Sequence, residues 1–323
     1  MCYHLFMSKI YVSGSLAYDH IMDFPGLFRD HFIAGKLHNI NISFNVGTLR
    51  ENFGGTAGNV AYSLALLGED SSIIATAGKD FDRYRTYLES RGILTDDICI
   101  NHNDSTASAY IITDQGDNQI AGFYPGALAT PYDPKFSPTE KSMAIISAGC
   151  ITDMQTLPDV FRGRGINFLF DPGQSIPALT GNDLRNGMTD AFAVFANDYE
   201  FSMIAEKTGL TETEVARIAN VLVITLGSEG SRVITKDGEE IVKAVPAVEL
   251  KDPTGAGDAF RAGYIKGLRL GLPPSICARL GSTVATYVVE TYGTQNHTFT
   301  LDELRERYRV AYGEEIVLAQ RAE

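Results

Sequence analysis

From residue 143 onwards, short apolar segments of strand length alternate with segments of helical pattern. The apolar segments predict strands at 143–147, 167–170, 192–195 and 221–225. Strands that alternate with helices form right-handed crossovers, which place the strands parallel in one sheet with helices on both faces. The sequence therefore predicts an α/β fold, a three-layer α/β/α sandwich with a mostly parallel central sheet.

The same alternation extends to both sides of this region. Gly follows several of the predicted helices, as is usual at helix ends, and Asp-Gly marks a hairpin turn. The other predicted elements are a strand at 10–12, a helix at 60–67, a strand at 72–76, a helix at 81–91, a hairpin across Asp237-Gly238, and helices at 256–270, 274–290 and 301–312.

Two stretches interrupt the alternation, at 15–53 and at 104–125. Both have strand patterns without crossover helices: pieces near 40–44 and 49–53, and a hairpin across residues 114–118. We interpret the two stretches as a small β-sheet that projects from the main domain as a lid. The large domain would then be discontinuous, consisting of residues 9–14, 54–103 and 126–323.

Composition excludes several classes of partner. The 323 residues carry a net charge of −13, which argues against nucleic acid and anionic membranes as partners. The four cysteines are far apart and form no C-x-x-C pair, so we expect reduced thiols and a cytoplasmic protein. No apolar run reaches membrane-spanning length, and we assign no function to residues 1–8.

Residues 252–263 read Asp-Pro-Thr-Gly-Ala-Gly-Asp-Ala-Phe-Arg-Ala-Gly and predict a glycine-rich loop that opens a helix. Gly255 and Gly257 let backbone N–H groups turn toward one point, and the helix N-terminus favours an anion there. Asp258 lies in the first turn, where it could accept a proton from a hydroxyl group. An anion site beside a base fits phosphoryl transfer to an alcohol.

A structural interpretation of this stretch is equally open on its residues alone, because an acidic residue in a first helical turn is good capping. Two common nucleotide motifs are excluded. Phe260 stands where a dinucleotide fingerprint needs Gly or Ala, and no Lys follows the glycines as a P-loop requires. A bound phosphate would therefore need backbone amides and a metal ion as its sources of positive charge.

Four separated motifs together resemble the ribokinase/PfkB family of carbohydrate kinases, in the order of that family. The resemblance covers the chain from Lys9 onwards, and within the family it is closest to bacterial adenosine kinases of the mycobacterial type. It implies a ribokinase-like fold, ATP as phosphate donor and a 5′-hydroxyl of a ribonucleoside as acceptor, with adenosine in purine salvage as the first candidate. The motifs are Gly54-Gly55-x-x-Gly58-Asn59, Asn197-x-x-Glu200, Thr225-x-Gly227-x-x-Gly230 and Asp252-x-Thr254-Gly255-Ala256-Gly257-Asp258.

The resemblance implies catalytic roles for the last motif. Asp258 would act as general base on the acceptor hydroxyl. The amides of Gly255, Ala256 and Gly257 would hold the transferred phosphate as charge builds on it. Family members often bind a monovalent cation beside this loop, which makes Asp252 and Thr254 candidates for a K⁺ site.

The two middle motifs are implied to bind the phosphate donor. Asn197 and Glu200 would position Mg²⁺ through water, since this ion keeps much of its hydration shell. On the residues alone, their spacing favours a helix N-cap with its partner at N3. Thr225, Gly227 and Gly230 would contact the donor phosphates, although an ordinary strand–turn explains them equally well.

The first motif and the start of the chain are implied to bind the acceptor. Asp19, on a strand that enters the small sheet, would bind two neighbouring ribose hydroxyls. Gly55 would allow close backbone approach, and Asn59 would bond to the same hydroxyls. For a lone Asp such as Asp19, the structural alternative is a solvated turn residue. The remaining substrate candidates are Ser15, Ser43, Phe123 and Gln174.

The residues that would bind the nucleobase of the acceptor are less well defined. Phe123 could cover a purine face or simply belong to the core of the small sheet. The adenosine kinases place two neighbouring polar residues against the nucleobase, and Gln174 matches the first of them. The second member is Ser175 here, a departure that weakens adenosine relative to other nucleosides.

Three functions compete. A nucleoside kinase is first, and a kinase for ribose, fructose or another furanose is the alternative, because Asp19 and Asn59 would serve both. A nucleotide-binding regulator without turnover is opposed by the intact Asp258 and its anion loop. We also expect a homodimer formed through the exposed face of the lid sheet.

Overall fold

The structure is a computed structural model that describes residues 9–32, 41–116, 118–133 and 142–318. Elements are numbered along the chain within these residues. The strands are β1 (Ile10–Ser13), β2 (Ala17–Asp23), β3 (Thr48–Gly54), β4 (Ser71–Ile74), β5 (Thr76–Gly78), β6 (Cys99–Asn101), β7 (Ala107–Thr113), β8 (Gln119–Tyr124), β9 (Met143–Ser147), β10 (Asn167–Asp171), β11 (Ala193–Asn197), β12 (Val221–Thr225), β13 (Ser231–Thr235) and β14 (Gly238–Val242).

Helices make up most of the remaining regular structure, with short 3₁₀ turns between some elements. The α-helices are α1 (Thr56–Leu66), α2 (Asp82–Ser90), α3 (Ile151–Gly163), α4 (Gly181–Met188), α5 (Asp198–Thr208), α6 (Glu212–Ile218), α7 (Ala256–Arg269), α8 (Pro274–Val289) and α9 (Leu301–Tyr312).

The main sheet contains eight of the described strands in the order β14-β13-β12-β11-β10-β9-β1-β4. All neighbouring pairs from β4 to β12 are parallel, and β13 and β14 extend the sheet as antiparallel strands. Parallel strands end at a common edge, so the polar residues that follow β1, β9, β10, β11 and β12 meet there.

Alternating side chains of the main sheet enter two separate cores. Ile145 and Leu169 pack in the core that includes helices α1, α2, α7, α8 and α9. Their neighbours Ile146 and Phe170 point to the opposite face and pack in the core of α3, α4, α5 and α6. A sheet buried on both faces explains its continuous apolar strands. The predicted three-layer sandwich with a mostly parallel sheet is therefore confirmed.

A second sheet of four described strands has the order β3-β2-β7-β8. Strand β2 pairs antiparallel with β3 and parallel with β7, and β7 pairs antiparallel with β8. The strands come from the two stretches that interrupt the α/β alternation. Most residues of β3 and all of β8 are exposed, so both edges and part of this sheet face solvent.

The sequence predictions differ from the structure mainly within this small sheet. Strand β2 corresponds to the strand that carries Asp19 into the small sheet, but its bounds are not predicted, because Tyr18, Asp19 and His20 lack the apolar run that marks a buried strand. The predicted strand near 40–44 is wrong for 41–44, which have no regular secondary structure, while residue 40 lies outside the described part. Within the described residues, no helix is long and apolar enough to cross a membrane.

Candidate active site

A cleft of about 960 Å³ lies beyond the carboxyl ends of the central strands of the main sheet. Residues from the ends of β10, β11 and β12 form one side, the N-terminus of α7 forms the floor, and β2 and β8 of the small sheet contribute to the other side. The predicted site residues that line it are Ser15, Asp19, Gly55, Asn59, Phe123, Gln174, Asn197, Glu200, Thr225, Gly227, Thr254, Gly255, Ala256, Gly257 and Asp258.

The glycine-rich loop leads directly into α7. Gly255 has a left-handed backbone, with φ of +82°, and is the N-cap of the helix. The first amide of the helix, that of Ala256, donates to the carbonyl of Pro253 at 3.2 Å. The amides of Gly255 and Gly257 thus remain as candidate donors to an anion, and the macrodipole of α7 favours negative charge there.

Asp258 is the third residue of α7 and faces the cleft floor. Its Oδ2 accepts a hydrogen bond of 2.8 Å from Nδ2 of Asn59, which α1 presents from the opposite wall. Burial of the carboxyl group raises the pKa of Asp258 to about 7; the Asn59 bond opposes this rise, the charge of Asp171 adds to it, and Arg261 opposes it. A carboxylate with a pKa near neutrality is suited to accept a proton.

Two charged side chains behind the loop were not anticipated as functional residues. Asp171 ends β10, and Arg261 follows Asp258 by one helical turn. Both side chains are buried, and both residues line the cleft. Arg261 also donates from Nη1 to the carbonyl of Gly257 at 3.1 Å. The guanidinium group of Arg261, which pairs with the carboxylate of Asp171 at 2.9 Å, therefore lies next to the anion loop. The signal was an arginine at helical spacing from Asp258.

The glycines of Gly54-Gly55 make room for the acceptor side of the cleft. A Cβ atom on Gly54 would lie 2.4 Å from Oδ2 of Asp19, and one on Gly55 would lie 2.5 Å from the carbonyl oxygen of Ser15. Gly55 also has a φ of +88°, which side chains disfavour. The motif thus holds the start of α1 against the loop after β1, where Thr56 and Ser15 exchange backbone-to-hydroxyl hydrogen bonds of 3.0 Å.

Asp19 projects from β2 into the cleft, and burial raises the pKa of its carboxyl group. Phe123 on β8 also lines the cleft, and 58% of its surface is exposed. Gln174 and Ser175 lie in the 3₁₀ turn after β10 and line the cleft. Ser43 is exposed and does not line the cleft.

Asn197 and Glu200 form a reciprocal capping box at the start of α5. Asn197 Oδ1 accepts from the Glu200 amide, and Glu200 Oε2 accepts from the Asn197 amide, both at 2.7 Å. The helix cap that the spacing of Asn197 and Glu200 favours is therefore present in the structure. Both residues also line the cleft, and burial raises the pKa of Glu200. The capping box uses Oε2 of Glu200 and does not involve Oε1.

Of the three residues proposed to contact the donor phosphates, two line the cleft and one has a structural role. Thr225 and Gly227 line the cleft, whereas Gly230 does not. A Cβ atom on Gly230 would lie 2.0 Å from the carbonyl of Val242, so this glycine allows β13 and β14 to approach. For Gly230, as for Ser43, the ligand contact stays a prediction, since neither residue lines the cleft.

Asp252 lies just outside the cleft wall and joins two loops. Its Oδ1 accepts from the Thr254 amide at 2.9 Å, and its Oδ2 accepts from the Gly293 amide at 3.1 Å. Both carboxylate oxygens are used for backbone amides, so a cation here would depend on the carbonyls that these bonds orient. Among the described residues, no group of three His, Cys, Asp or Glu side chains could hold a metal ion by itself.

Comparison with known proteins gives one family. The model of the pfkB family carbohydrate kinases matches residues 8–300 of the chain. A nucleoside kinase from Methanothermobacter thermautotrophicus is 31% identical over 286 residues, which cover 85% of this chain and 90% of that protein.

Solved structures agree over nearly the full length. The Burkholderia thailandensis nucleoside kinase in complex with inosine is 35% identical, covers 95% of this chain and 99% of its own, and superposes with a TM-score of 0.81. It has also been solved in complex with ADP-inosine. The Methanocaldococcus jannaschii nucleoside kinase, an archaeal member of the ribokinase family, is 28% identical, covers 94% and 99%, and has a TM-score of 0.84.

Proposed function

The chain belongs to the pfkB family of carbohydrate kinases, and we propose that it transfers the γ-phosphoryl group of ATP to the 5′-hydroxyl of a ribonucleoside. The observation that carries this proposal is the position of Asp258. Its carboxyl group has a pKa of about 7 and lies in the first turn of α7, directly after the free amides of the anion loop. The nucleoside kinases at 35% and 31% identity support the acceptor class.

In the proposed reaction, Asp258 accepts the proton of the 5′-hydroxyl while that oxygen attacks the γ-phosphorus. The bond from phosphorus to the bridging oxygen of ADP breaks in line with the attack. The amides of Gly255 and Gly257 donate to the equatorial oxygens, on which charge is spread in the transition state. The small sheet carrying Asp19 and Phe123 would close over the acceptor and exclude water that could otherwise hydrolyse ATP.

Asn197 and Glu200 would hold Mg²⁺ through water molecules. The residues fit this ion, since an amide and a carboxylate with a free oxygen both face the cleft. Mg²⁺ keeps several of its water ligands and is otherwise bound by nucleotide phosphates, whose charge it neutralises. Asp252 and Thr254 would hold the backbone of a K⁺ site in place through the hydrogen bonds of their loop.

Asp19 and Asn59 would bind the ribose, and adenosine is the first nucleoside that we propose. The carboxamide of Gln174 can donate or accept, so it matches either the 6-amino group of adenine or the 6-oxo group of hypoxanthine. Ser175 beside it has the same freedom. We therefore expect both adenosine and inosine to be substrates, because these side chains can turn to accept from a 6-amino group or to donate to a 6-oxo group.

A homodimer through the small sheet is the proposed assembly. Asp19 and Phe123 lie on the cleft face, so alternating residues point to the outer face. That outer face exposes Leu49, Tyr110, Ile120 and Tyr124. Apolar side chains clustered on an exposed sheet favour association with a second copy. A monomer in light scattering at micromolar concentration would contradict this assembly.

The proposed function is tested by ADP release with adenosine, inosine, pyrimidine nucleosides, ribose and fructose as acceptors, and by mass spectrometry of the products. We expect turnover with nucleosides and a 5′-monophosphate as product. Turnover with ribose or fructose alone would establish the sugar-kinase alternative. Absence of turnover with every acceptor would refute the proposal.

A further inference from the structure

A buried chain of hydrogen bonds reaches Asp258 from outside the cleft. Gln295 lies between α8 and α9, is almost completely buried, and does not line the cleft. Its Nε2 donates to Oδ1 of Asn59 at 2.9 Å and to the hydroxyl of Tyr84 at 2.6 Å. Asn59 in turn donates from Nδ2 to Oδ2 of Asp258 at 2.8 Å. Gln295 is thus one side chain removed from the proposed base.

The direction of this chain is fixed by the chemistry of its members. The hydroxyl of Tyr84 donates to the carbonyl of Gly54 at 2.9 Å, so it must accept from Gln295. The amide group of Gln295 therefore points toward both Tyr84 and Asn59. Because that amide binds the only acceptor atom of the Asn59 carboxamide, the donor end of Asn59 faces Asp258.

The motif at 54–59 provides the space for this arrangement. A Cβ atom on Gly58 would lie 1.9 Å from the hydroxyl oxygen of Tyr84 and 2.9 Å from Nε2 of Gln295. Gly58 precedes Asn59 in α1 and is buried. The last glycine of the motif thus lets a tyrosine and a glutamine pack directly against the helix that carries Asn59.

We propose that Gln295 is a positioning residue that keeps the N–H group of Asn59 directed at Asp258. The single bond from Asn59 then falls on Oδ2, which leaves Oδ1 to accept the proton of the substrate. Without Gln295, the Asn59 carboxamide can rotate and present its oxygen to Asp258, an arrangement that requires the carboxyl group to be protonated. This role rests on the proposed kinase function, but it can be measured without turnover.

Several other groups influence the same carboxyl group and must be held constant. Asp171 from β10 raises the pKa of Asp258 and Arg261 from α7 lowers it, in addition to the effect of burial. Glu200 from α5 acts on Arg261 and so belongs to the same set. The side-chain hydrogen bonds of Gln295 go to Asn59 and Tyr84 and not to these charged groups, so replacing it isolates the contribution of the Asn59 bond.

The test replaces Gln295 by Met, which is similar in volume but neither donates nor accepts in this position. Tyr62→Phe is the matched control, because Tyr62 donates to the carbonyl of His297 at 2.8 Å and makes none of the side-chain hydrogen bonds that link Gln295, Tyr84, Asn59 and Asp258. Both variants lose buried hydrogen bonds at the same segment. The pKa of Asp258 is measured by ¹³C NMR of labelled aspartate, with Asp258→Asn for assignment.

We expect Gln295→Met to raise the pKa of Asp258 by about one unit, the size of a lost hydrogen bond to a charged group, and to lower kcat about 10-fold. In Tyr62→Phe the pKa stays at the wild-type value. An unchanged pKa in Gln295→Met overturns the inference, even if the nucleoside is phosphorylated. A shifted pKa without turnover in any form would instead refute the kinase function alone.

A measurement on the unaltered protein covers the case in which Gln295→Met does not fold. The side-chain amide resonances of Asn59 and Gln295 are followed against pH, since both depend on the charge of Asp258. We expect both to shift together with a midpoint near 7. If the Asn59 amide shifts and that of Gln295 does not, the two side chains are uncoupled and the inference is wrong.

Discussion

The carboxylate of Asp171 and the guanidinium group of Arg261 form a bidentate ion pair at the back of the cleft. Arg261 Nε lies 2.9 Å from Oδ2 of Asp171, and Nη2 lies 3.0 Å from Oδ1. Strand β10 and helix α7 are thereby joined directly beneath the proposed anion site. Asp258 lies beside this pair, and the two charges act on it with opposite sign.

The wild-type enzyme is expected to lose activity as the pH falls through about 7. Asp258 must be ionised to accept a proton, and burial raises the pKa of this group to about 7. The measurement is kcat/KM against pH, which reports the ionisation of the free enzyme. A profile that stays flat down to pH 5 would contradict the assignment of Asp258 as base.

Neutralising the two members of the ion pair should move that pH profile in opposite directions. Asp171→Asn removes a negative charge that raises the pKa of Asp258, so the acid limb shifts to lower pH. Arg261→Gln removes a positive charge that lowers it, so the limb shifts to higher pH. The measurement is again kcat/KM against pH, for each variant.

Stability provides the control for this pair of variants. Each substitution leaves a buried partner unpaired, and each should lower the free energy of unfolding by about 3–5 kcal/mol. Equal destabilisation with opposite pH shifts separates the electrostatic effect from a general loss of structure. If both variants shift the acid limb in the same direction, a change in structure, and not the lost charge, determines the pKa of Asp258.

Asp258→Asn should lower kcat strongly and make the protein more stable at alkaline pH. A general base contributes at least ~10²-fold to kcat, which the amide cannot replace. The raised pKa means that the folded state holds its proton above the unfolded value of 3.8, so folding stability falls as the pH rises from about 4 to about 7. Because Asn does not titrate, the stability of the variant does not fall in this way. Its melting temperature should exceed that of the wild type at pH 8 but not at pH 4.

The sequence alone predicts the main sheet and the loop at 252–258 because both depend on local patterns. Strands 143–147 and 221–225 are apolar runs with matching ends in the structure, and helix 301–312 has the predicted bounds. The bounds of strand β2 escape prediction because Tyr18, Asp19 and His20 lack the apolar run that marks a buried strand. Its pairing with β3 and β7, not its composition, makes it a strand.

Long-range contacts account for the site residues that the sequence could not identify. Arg261 is 90 positions from Asp171, and Gln295 is 236 positions from Asn59. No spacing rule relates such residues, whereas Gly255 and Asp258 are joined by a single helical turn. Ser43 and Gly230 illustrate the opposite case: the family resemblance implies a ligand contact for each, and neither lines the cleft.

Gly54→Ala should weaken acceptor binding through Asp19. The added methyl group would lie 2.4 Å from Oδ2 of Asp19, so the carboxylate must move from its position in the cleft. We expect the KM for the nucleoside to rise by about 10-fold or more, the cost of displacing a positioning carboxylate, with the KM for ATP unchanged. Gly122→Ala is the matched control on β8, since nothing lies within 4 Å of its added atom.

Glu200 allows the capping and metal-binding roles of its motif to be separated. Thr180–Asp183, Asn197–Glu200, Thr211–Glu214 and Thr300–Glu303 form capping boxes in the helices that the structure describes. Of these, only Asn197–Glu200 lines the cleft. Glutamine accepts the same backbone hydrogen bond as glutamate in a capping box, so Glu→Gln removes charge without removing the cap.

Glu200→Gln should therefore raise the Mg²⁺ concentration for half-maximal activity by about 10-fold, the usual effect of losing one supporting contact to a metal. Glu303→Gln makes the same change in the cap of α9, where the carboxylate is exposed and bonded to the Thr300 amide and hydroxyl. Both variants should retain their helices and similar melting temperatures. If the two show the same Mg²⁺ dependence, Glu200 serves only as a cap, and the magnesium assignment of Asn197-x-x-Glu200 is refuted.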